Sequence, residues 1–251
     1  METATAMERI GRRSPRFLAR MAGVFQLLEA LTATFGQVIV LNRLVNYKDA
    51  AATAANIVGH QSLFWVGFAS ALIGVVFHIA WAFLLFDLLK CVNRRVSLFA
   101  LLVISVGCAV QTLTILFYIA PLLVLRGMSA FSVFSMDQLQ VLALLFLRLN
   151  SAAFNIYLVF FGLWCVLTGF LIFKSTFLPR LLGVLLAISG FGWMIYLWPP
   201  LAERLFMPYI AAASALGEIP LELWLLVMAL NAQQWEDQVS SARMEYGRTG
   251  S

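Results

Sequence analysis

The sequence predicts an all-α membrane protein, a bundle of six membrane-spanning helices. Its 251 residues are 62% hydrophobic and only 12% charged, with a mean hydropathy of +0.91. About a quarter of the residues of a typical soluble domain are charged. Six apolar runs are each long enough to cross a hydrocarbon core, which takes about 20 helical residues. Turns that contain Lys, Arg or Pro separate several of these runs, as expected between membrane spans.

The clearest pair of spans is a helical hairpin. Two runs without charge, 152–173 and 181–200, flank a short connector that holds Lys174, Pro179 and Arg180. Proline cannot continue a helix, and basic residues are typical of cytoplasmic turns. The glycines of the second run predict close helix packing, and they are Gly183, Gly190 and Gly192. We therefore assign spans 4 and 5 to this hairpin.

The other four spans are predicted at 17–41, 62–89, 96–125 and 209–230. Short surface helices are predicted in the two longer outer loops. Asp49 is placed to cap a helix over 50–58, and Ser135 and Gln138 have the spacing of a capping box. The second of these helices, over 136–150, either lies on the outer surface or extends span 4.

The distribution of basic residues predicts the orientation. Six spans place both termini on one side, and 12 of the 17 basic residues fall in the terminal segments and hairpin turns of that side. The positive-inside rule therefore predicts that both termini are cytoplasmic. Aromatic residues gather near the opposite interface, and they are Trp65, Tyr118, Tyr157, Tyr196, Trp198 and Tyr209. The predicted domains are a disordered cytoplasmic segment at 1–16, one transmembrane domain at 17–230 and a polar cytoplasmic tail at 231–251.

Several functional classes lack support in the sequence. The basic residues cluster at helix ends, which indicates contact with the lipid bilayer rather than with nucleic acid. The three cysteines are scattered and form no C-x-x-C pair. Hydrolase, zinc-protease and phosphate-loop motifs are absent from the sequence. We therefore expect no catalytic residue, metal or cofactor, and an enzyme is the less favoured interpretation.

The hairpin also carries a family resemblance. Residues 154–193 read FNIYLVFFGLWCVLTGFLIFKSTFLPRLLGVLLAISGFGW, and three further stretches are DAAATAANI at 49–57, MDQLQVLALLFL at 136–147 and GEIPLELWLL at 217–226. In this order they resemble an uncharacterised bacterial membrane family, domain of unknown function 4386. The resemblance implies a multi-pass protein of the bacterial inner membrane and no established activity. The residues that match the family pattern are Asp49, Asn56, Asn155, Gly162, Pro179 and Glu218, whereas His78 lies outside that pattern.

Polar residues within the spans are the candidate functional residues. Those near the middle of a span are Glu29, His78, Gln111 and Glu218, and Glu222 lies one helical turn after Glu218. A charged group at a helix centre costs about 2.5–3.5 kcal/mol, so these side chains should face the bundle interior. We predict that Glu29, His78 and Glu218 converge, with Gln111 as a further donor. The cluster is either a structural clamp, a site for a proton, cation or polar ligand head, or a carboxylate–histidine metal site.

Three functions remain open from the sequence. The first is a non-enzymatic accessory subunit, with other membrane-protein subunits as partners, or a membrane protein that binds a small ligand or lipid. The second is a transporter or channel for a small solute or a proton. The third is an intramembrane enzyme that acts on a lipid or quinone. The absence of catalytic motifs favours the first, and the polar residues within the spans support the second.

Overall fold

The structure is a computed structural model that describes residues 14–126 and 133–249. Within these ranges the chain forms eight helices: α1 Pro15–Leu44, α2 Ala50–Gly59, α3 Gln61–Leu89, α4 Arg94–Leu125, α5 Met136–Lys174, α6 Arg180–Leu197, α7 Pro199–Val227 and α8 Ala232–Thr249. Most of the segment predicted to be disordered, 1–16, lies outside the described residues. The same is true of residues 127–132, between α4 and α5.

Six of the helices, α1 and α3 to α7, are long and apolar enough to cross a membrane. The prediction of six spans is confirmed in this sense. Large apolar side chains remain exposed along these helices, including Val76 at 60% and Leu116 at 58%. Exposed apolar surface of this kind is what a bilayer covers. The chain is therefore a multi-pass membrane protein in contact with lipid.

Helix α5 decides between the two interpretations of the predicted helix over 136–150: this helix extends span 4 and is not a separate surface element. It is the first part of a single helix of 39 residues. No proline or glycine interrupts the chain between Met136 and Gly162, so backbone hydrogen bonding continues. The predicted capping box is confirmed. The Ser135 N–H donates to Gln138 Oε1 at 2.9 Å, and the Gln138 N–H donates to Ser135 Oγ at 3.3 Å.

Helix α2, between α1 and α3, is the separate loop helix that was predicted. Asp49 Oδ1 accepts a hydrogen bond from the Ala52 N–H at 2.9 Å, as expected of an N-cap. The Asn56 side chain donates to the Leu44 carbonyl oxygen at 3.2 Å, where α1 ends. Both contacts stabilise the loop between α1 and α3.

The chain divides into two compact units. Unit 1 comprises Met1–Gln26, Ala80–Ile104 and Phe160–Ser251, and unit 2 comprises Leu27–Ile79 and Ser105–Val159. In unit 1 the buried rings of Trp81 and Trp164 pack edge to face, with centroids 4.8 Å apart. The core of unit 2 includes Phe64, Tyr118 and Leu122, all buried.

Glycines allow α5 and α6 to approach closely within unit 1. A Cβ at Gly169 would lie 2.5 Å from the Gly183 carbonyl oxygen, and a Cβ at Gly190 would lie 2.5 Å from the Gly162 carbonyl oxygen. The close packing predicted for Gly183 and Gly190 is therefore confirmed. It is wrong for Gly192, where the nearest atom to a Cβ would be 3.7 Å away. Pro179 lies directly before the first residue of α6, as expected of a helix-starting turn.

The polar tail forms α8, which contacts two turns of unit 1. The Trp235 indole N–H donates to the Leu88 carbonyl oxygen at 3.0 Å, at the end of α3. Gln238 Oε1 accepts from the backbone N–H and the hydroxyl of Thr176, at 3.1 and 3.0 Å. These bonds tie the tail to the turns that follow α3 and α5.

Candidate functional site

A buried histidine connects two polar side chains in unit 2. His78 Nδ1 lies 3.5 Å from Glu29 Oε1 and 3.2 Å from the Tyr157 hydroxyl oxygen. The His78 side chain is fully buried, and that of Glu29 is 14% exposed. The imidazole and the phenol ring meet edge to face, with centroids 6.0 Å apart. Glu29, His78 and Tyr157 form what we call the His78 group.

Close packing of α1 against α3 positions the His78 group. A Cβ at Gly36 would lie 2.5 Å from the Gly67 carbonyl oxygen, so the two backbones nearly touch. The Tyr118 hydroxyl donates to the Gly36 carbonyl oxygen at 3.2 Å. Gly36 belongs to a π-helical segment, Thr34–Val40, which follows Glu29 along α1. A π-helical segment changes which residues face a neighbouring helix, and it is frequent at functional sites.

The geometry of the His78 group suits the binding of a proton. An ionised carboxylate can only accept hydrogen bonds, so with Glu29 ionised we assign a proton to His78 Nδ1. A neutral ring in this tautomer carries its lone pair on Nε2 and can take up a second proton there. The doubly protonated ring would form an ion pair with Glu29. In both protonation states of the ring Nδ1 faces the Glu29 carboxylate at 3.5 Å, and its hydrogen bond is to the Tyr157 hydroxyl at 3.2 Å.

A second carboxylate has its own donors in unit 1. Glu218 Oε1 accepts from Ser189 Oγ at 2.6 Å, from Trp193 Nε1 at 2.7 Å and from Ser214 Oγ at 3.0 Å. The Gln26 side-chain amide donates to the Glu218 carbonyl oxygen at 3.3 Å. Ser189 and Trp193 lie four residues apart on α6, and Ser214 and Glu218 lie four apart on α7. Each pair therefore occupies one helix face.

Gly217 permits this arrangement. A Cβ at Gly217 would lie 2.5 Å from Ser189 Cβ and 2.6 Å from the Leu185 carbonyl oxygen. Helices α6 and α7 therefore approach closely beside Glu218, which brings its carboxylate within reach of donors on both helices. Glu222 lies one turn further along α7 and is partly buried.

Comparison with known families identifies the chain. The family model for DUF4386, a domain of unknown function, matches residues 21–229. The chain belongs to the DUF4386 family. This confirms the resemblance seen in the sequence, and it adds no activity. No curated protein and no solved structure matches the chain.

The predicted site residues of this DUF4386 protein fall in both units. Glu29 and His78 are in contact within unit 2, whereas Glu218 and Glu222 belong to unit 1. The convergence of all three central residues stays a prediction. Gln111 is buried in unit 2, but within the described ranges its side chain forms no hydrogen bond with Glu29 or His78, and its Oε1 has no partner.

Sequence reasoning missed several polar contacts of the DUF4386 domain. Tyr118 and Tyr157 were assigned to the outer interface, yet both are buried and their hydroxyls bond to Gly36 and His78. The donors to Glu218 were also missed, namely Ser189, Trp193 and Ser214. Their spacing in the sequence could have indicated them, because Ser214 lies one helical turn before Glu218 and Ser189 lies one turn before Trp193.

Gly162 and Asn155, which the resemblance placed in the family pattern, both lie on α5. Gly162 contacts Gly190 as described, and Asn155 is partly buried on α5. Across residues 14–126 and 133–249, no three His, Cys, Asp or Glu side chains are grouped as a metal site would require. These described residues therefore do not form the carboxylate–histidine metal site that was one alternative from the sequence.

Proposed function

We propose that this DUF4386 protein is a non-enzymatic membrane protein that binds a proton at the His78 group. The observation that supports the proposal is the meeting of Glu29 and Tyr157 at the same nitrogen of a fully buried imidazole. Ionisable residues within membrane spans are rare because they are costly, and they often mark proton or ion pathways. Histidine changes charge near neutral pH more readily than any other unperturbed side chain.

The main alternative is a structural clamp, in which the same contacts only hold helices together. Interhelical hydrogen bonds of this kind contribute about 0.6 kcal/mol each. A neutral imidazole has one N–H donor and one acceptor nitrogen, so it can hold the helices together as a clamp without gaining or losing a proton. The two interpretations therefore differ in whether the ring of His78 exchanges a proton as the pH changes.

The protein contains only two histidines, which permits a direct test. In a His60→Asn background, His78 is the only histidine, and ¹⁵N-labelled histidine reports its ring by NMR. Proton binding requires the signal of the ring to change with pH, whereas a clamp requires it to stay constant. Glu29→Gln should alter this pH dependence, because it removes the charge that faces Nδ1. Tyr157→Phe should alter it less.

Asp137→Asn is the matched control, because it removes an exposed carboxylate of the same unit, about 30 Å along α5 from Tyr157, and should leave the His78 signal unchanged. A ring that keeps one tautomer across the whole pH range, and does not respond to Glu29→Gln, would support the clamp and contradict proton binding.

A second candidate function is transport of a proton or a small solute. The π-helical segment after Glu29 favours it, because such segments interrupt regular packing and occur at functional sites. In liposomes loaded with a pH-sensitive dye, a transporter should carry protons down an imposed gradient, and His78→Asn should abolish the flux. Proton binding without flux would leave the first proposal standing and exclude this one. A subunit that co-purifies in mild detergent would support the accessory role instead.

We also infer that both termini are cytoplasmic and that the membrane is the bacterial inner membrane. The 12 basic residues on the terminal side and the five on the other support this orientation. Reporter fusions after Arg95 and Ser175 should behave as cytoplasmic, whereas one inserted between Asn46 and Gly59 should behave as external. A fusion after Arg95 that is active only outside the cytoplasm would contradict the orientation.

A further inference from the structure

Four exposed cations lie in two turns of unit 1. Arg94 and Arg95 begin α4, Lys174 ends α5, and Arg180 begins α6. Helix α8 contacts both regions, through the bond from Trp235 to the Leu88 carbonyl and through the bonds between Gln238 and Thr176. The cations therefore share one end of unit 1. We call Arg94, Arg95, Lys174 and Arg180 the basic turn surface.

These charges are not neutralised by neighbouring acids. The ion pair at this end joins Asp87 and Lys90, so Lys90 is not counted in the basic turn surface. In the described part of the chain, none of the four cations forms an ion pair. The acidic side chains at the start of α8 are Glu236 and Asp237, and Asp237 accepts a hydrogen bond from Gln233 at 3.2 Å. The surface therefore retains a positive charge.

Exposed apolar side chains border the same cations. Phe173, next to Lys174, is 42% exposed, and Leu181, next to Arg180, is 65% exposed. Phe99, about one turn after Arg95, is 53% exposed. The Arg180 guanidinium lies over the Phe173 ring, 5.9 Å from its centroid. A phospholipid fits this surface, because its phosphate can contact the cations while its acyl chains contact the neighbouring apolar side chains. A soluble anion would contact only the cations.

We infer that the basic turn surface binds the headgroups of anionic phospholipids. The phosphate contacts the arginines and the lysine, and the acyl chains lie against Phe99, Phe173 and Leu181. Each basic residue near an anionic membrane surface contributes about a fivefold gain in affinity. Removal of all four charges should therefore reduce the preference for anionic lipid by more than about tenfold, even if the contributions are far from additive.

Native mass spectrometry of the full-length protein in detergent tests this inference. Phosphatidylglycerol and phosphatidylcholine are added in equal amounts, and the lipid retained by each variant is counted. The wild type should retain phosphatidylglycerol in preference, and R94Q/R95Q/K174Q/R180Q should lose that preference. The matched control is R43Q/K48Q, which removes two exposed basic residues of unit 2 and should leave the preference unchanged. R94K/R95K/R180K keeps the charge and should also retain the preference.

Three outcomes would overturn the inference. They are equal retention of the two lipids by the wild type, an equal loss in the R43Q/K48Q control, and displacement of phosphatidylglycerol by excess inorganic phosphate. The last outcome would indicate a phosphate site that does not recognise lipid. Circular dichroism and unfolding curves verify that each variant is folded, and R94K/R95K/R180K separates loss of charge from loss of structure.

Discussion

Gly190→Ala is expected to destabilise the protein by about 1–3 kcal/mol, the usual cost of overpacking a tight contact. The added Cβ would lie 2.5 Å from the Gly162 carbonyl oxygen, and backbone on a packed helix cannot move aside cheaply. Gly192→Ala is the matched control, two residues further along α6, because its Cβ would meet nothing nearer than 3.7 Å. It should be neutral, or stabilise by up to about 1 kcal/mol, because alanine is the better helix former.

Denaturant unfolding in detergent, followed by tryptophan fluorescence, measures both variants under the same conditions. Gly162→Ala should cost about as much as Gly190→Ala because it acts on the same contact. The double variant should cost less than the sum of the two, because helices already forced apart by one methyl group accommodate the second. Equal stability of Gly190→Ala and Gly192→Ala would mean that α5 and α6 do not approach as closely as this structure shows.

Glu218→Leu is expected to destabilise by about 1–3 kcal/mol, because it leaves one buried donor and two partly buried donors without their acceptor. The Trp193 indole N–H donates to Oε1 at 2.7 Å, and its direction is fixed by the plane of the ring. A serine hydroxyl can instead rotate about its C–O bond and donate to a carbonyl of its own helix. Glu218→Gln keeps an acceptor oxygen of the same shape. It should therefore cost less than about 1 kcal/mol, the usual net value of one hydrogen bond.

A double-mutant cycle with Trp193→Phe isolates the contact between Glu218 and Trp193. Phenylalanine removes the N–H, so Glu218→Leu should cost less in that background than in the wild type. Comparable losses in Glu218→Gln and Glu218→Leu would instead show that the negative charge, and not the acceptor geometry, stabilises this contact. If Glu218→Leu destabilises both backgrounds equally, the hydrogen bond between Trp193 and Glu218 does not contribute to stability.

The sequence alone determined the six long apolar helices of this DUF4386 protein, because the signals involved are local. A helix that crosses lipid must satisfy its own backbone hydrogen bonds and expose apolar side chains. Each span therefore corresponds to one long apolar run in the sequence. Helix caps can be predicted from the sequence in the same way, because they join residues only three positions apart, such as Asp49 with Ala52 and Ser135 with Gln138. For 136–150 the sequence left two interpretations, because the missing breaker favoured a continuous α5 whereas the polar residues of its first part favoured a surface helix.

Only the tertiary structure decided which polar groups meet. The cost of insertion depends on the depth of a charge in the membrane, and depth does not specify a partner on another helix. Glu29 and Glu218 looked equivalent in the sequence, yet one contacts His78 and the other contacts Ser189, Trp193 and Ser214. The partners follow from how each helix is rotated about its axis and from where a glycine lets two backbones touch. Those are properties of helix pairs, which no single stretch of sequence encodes.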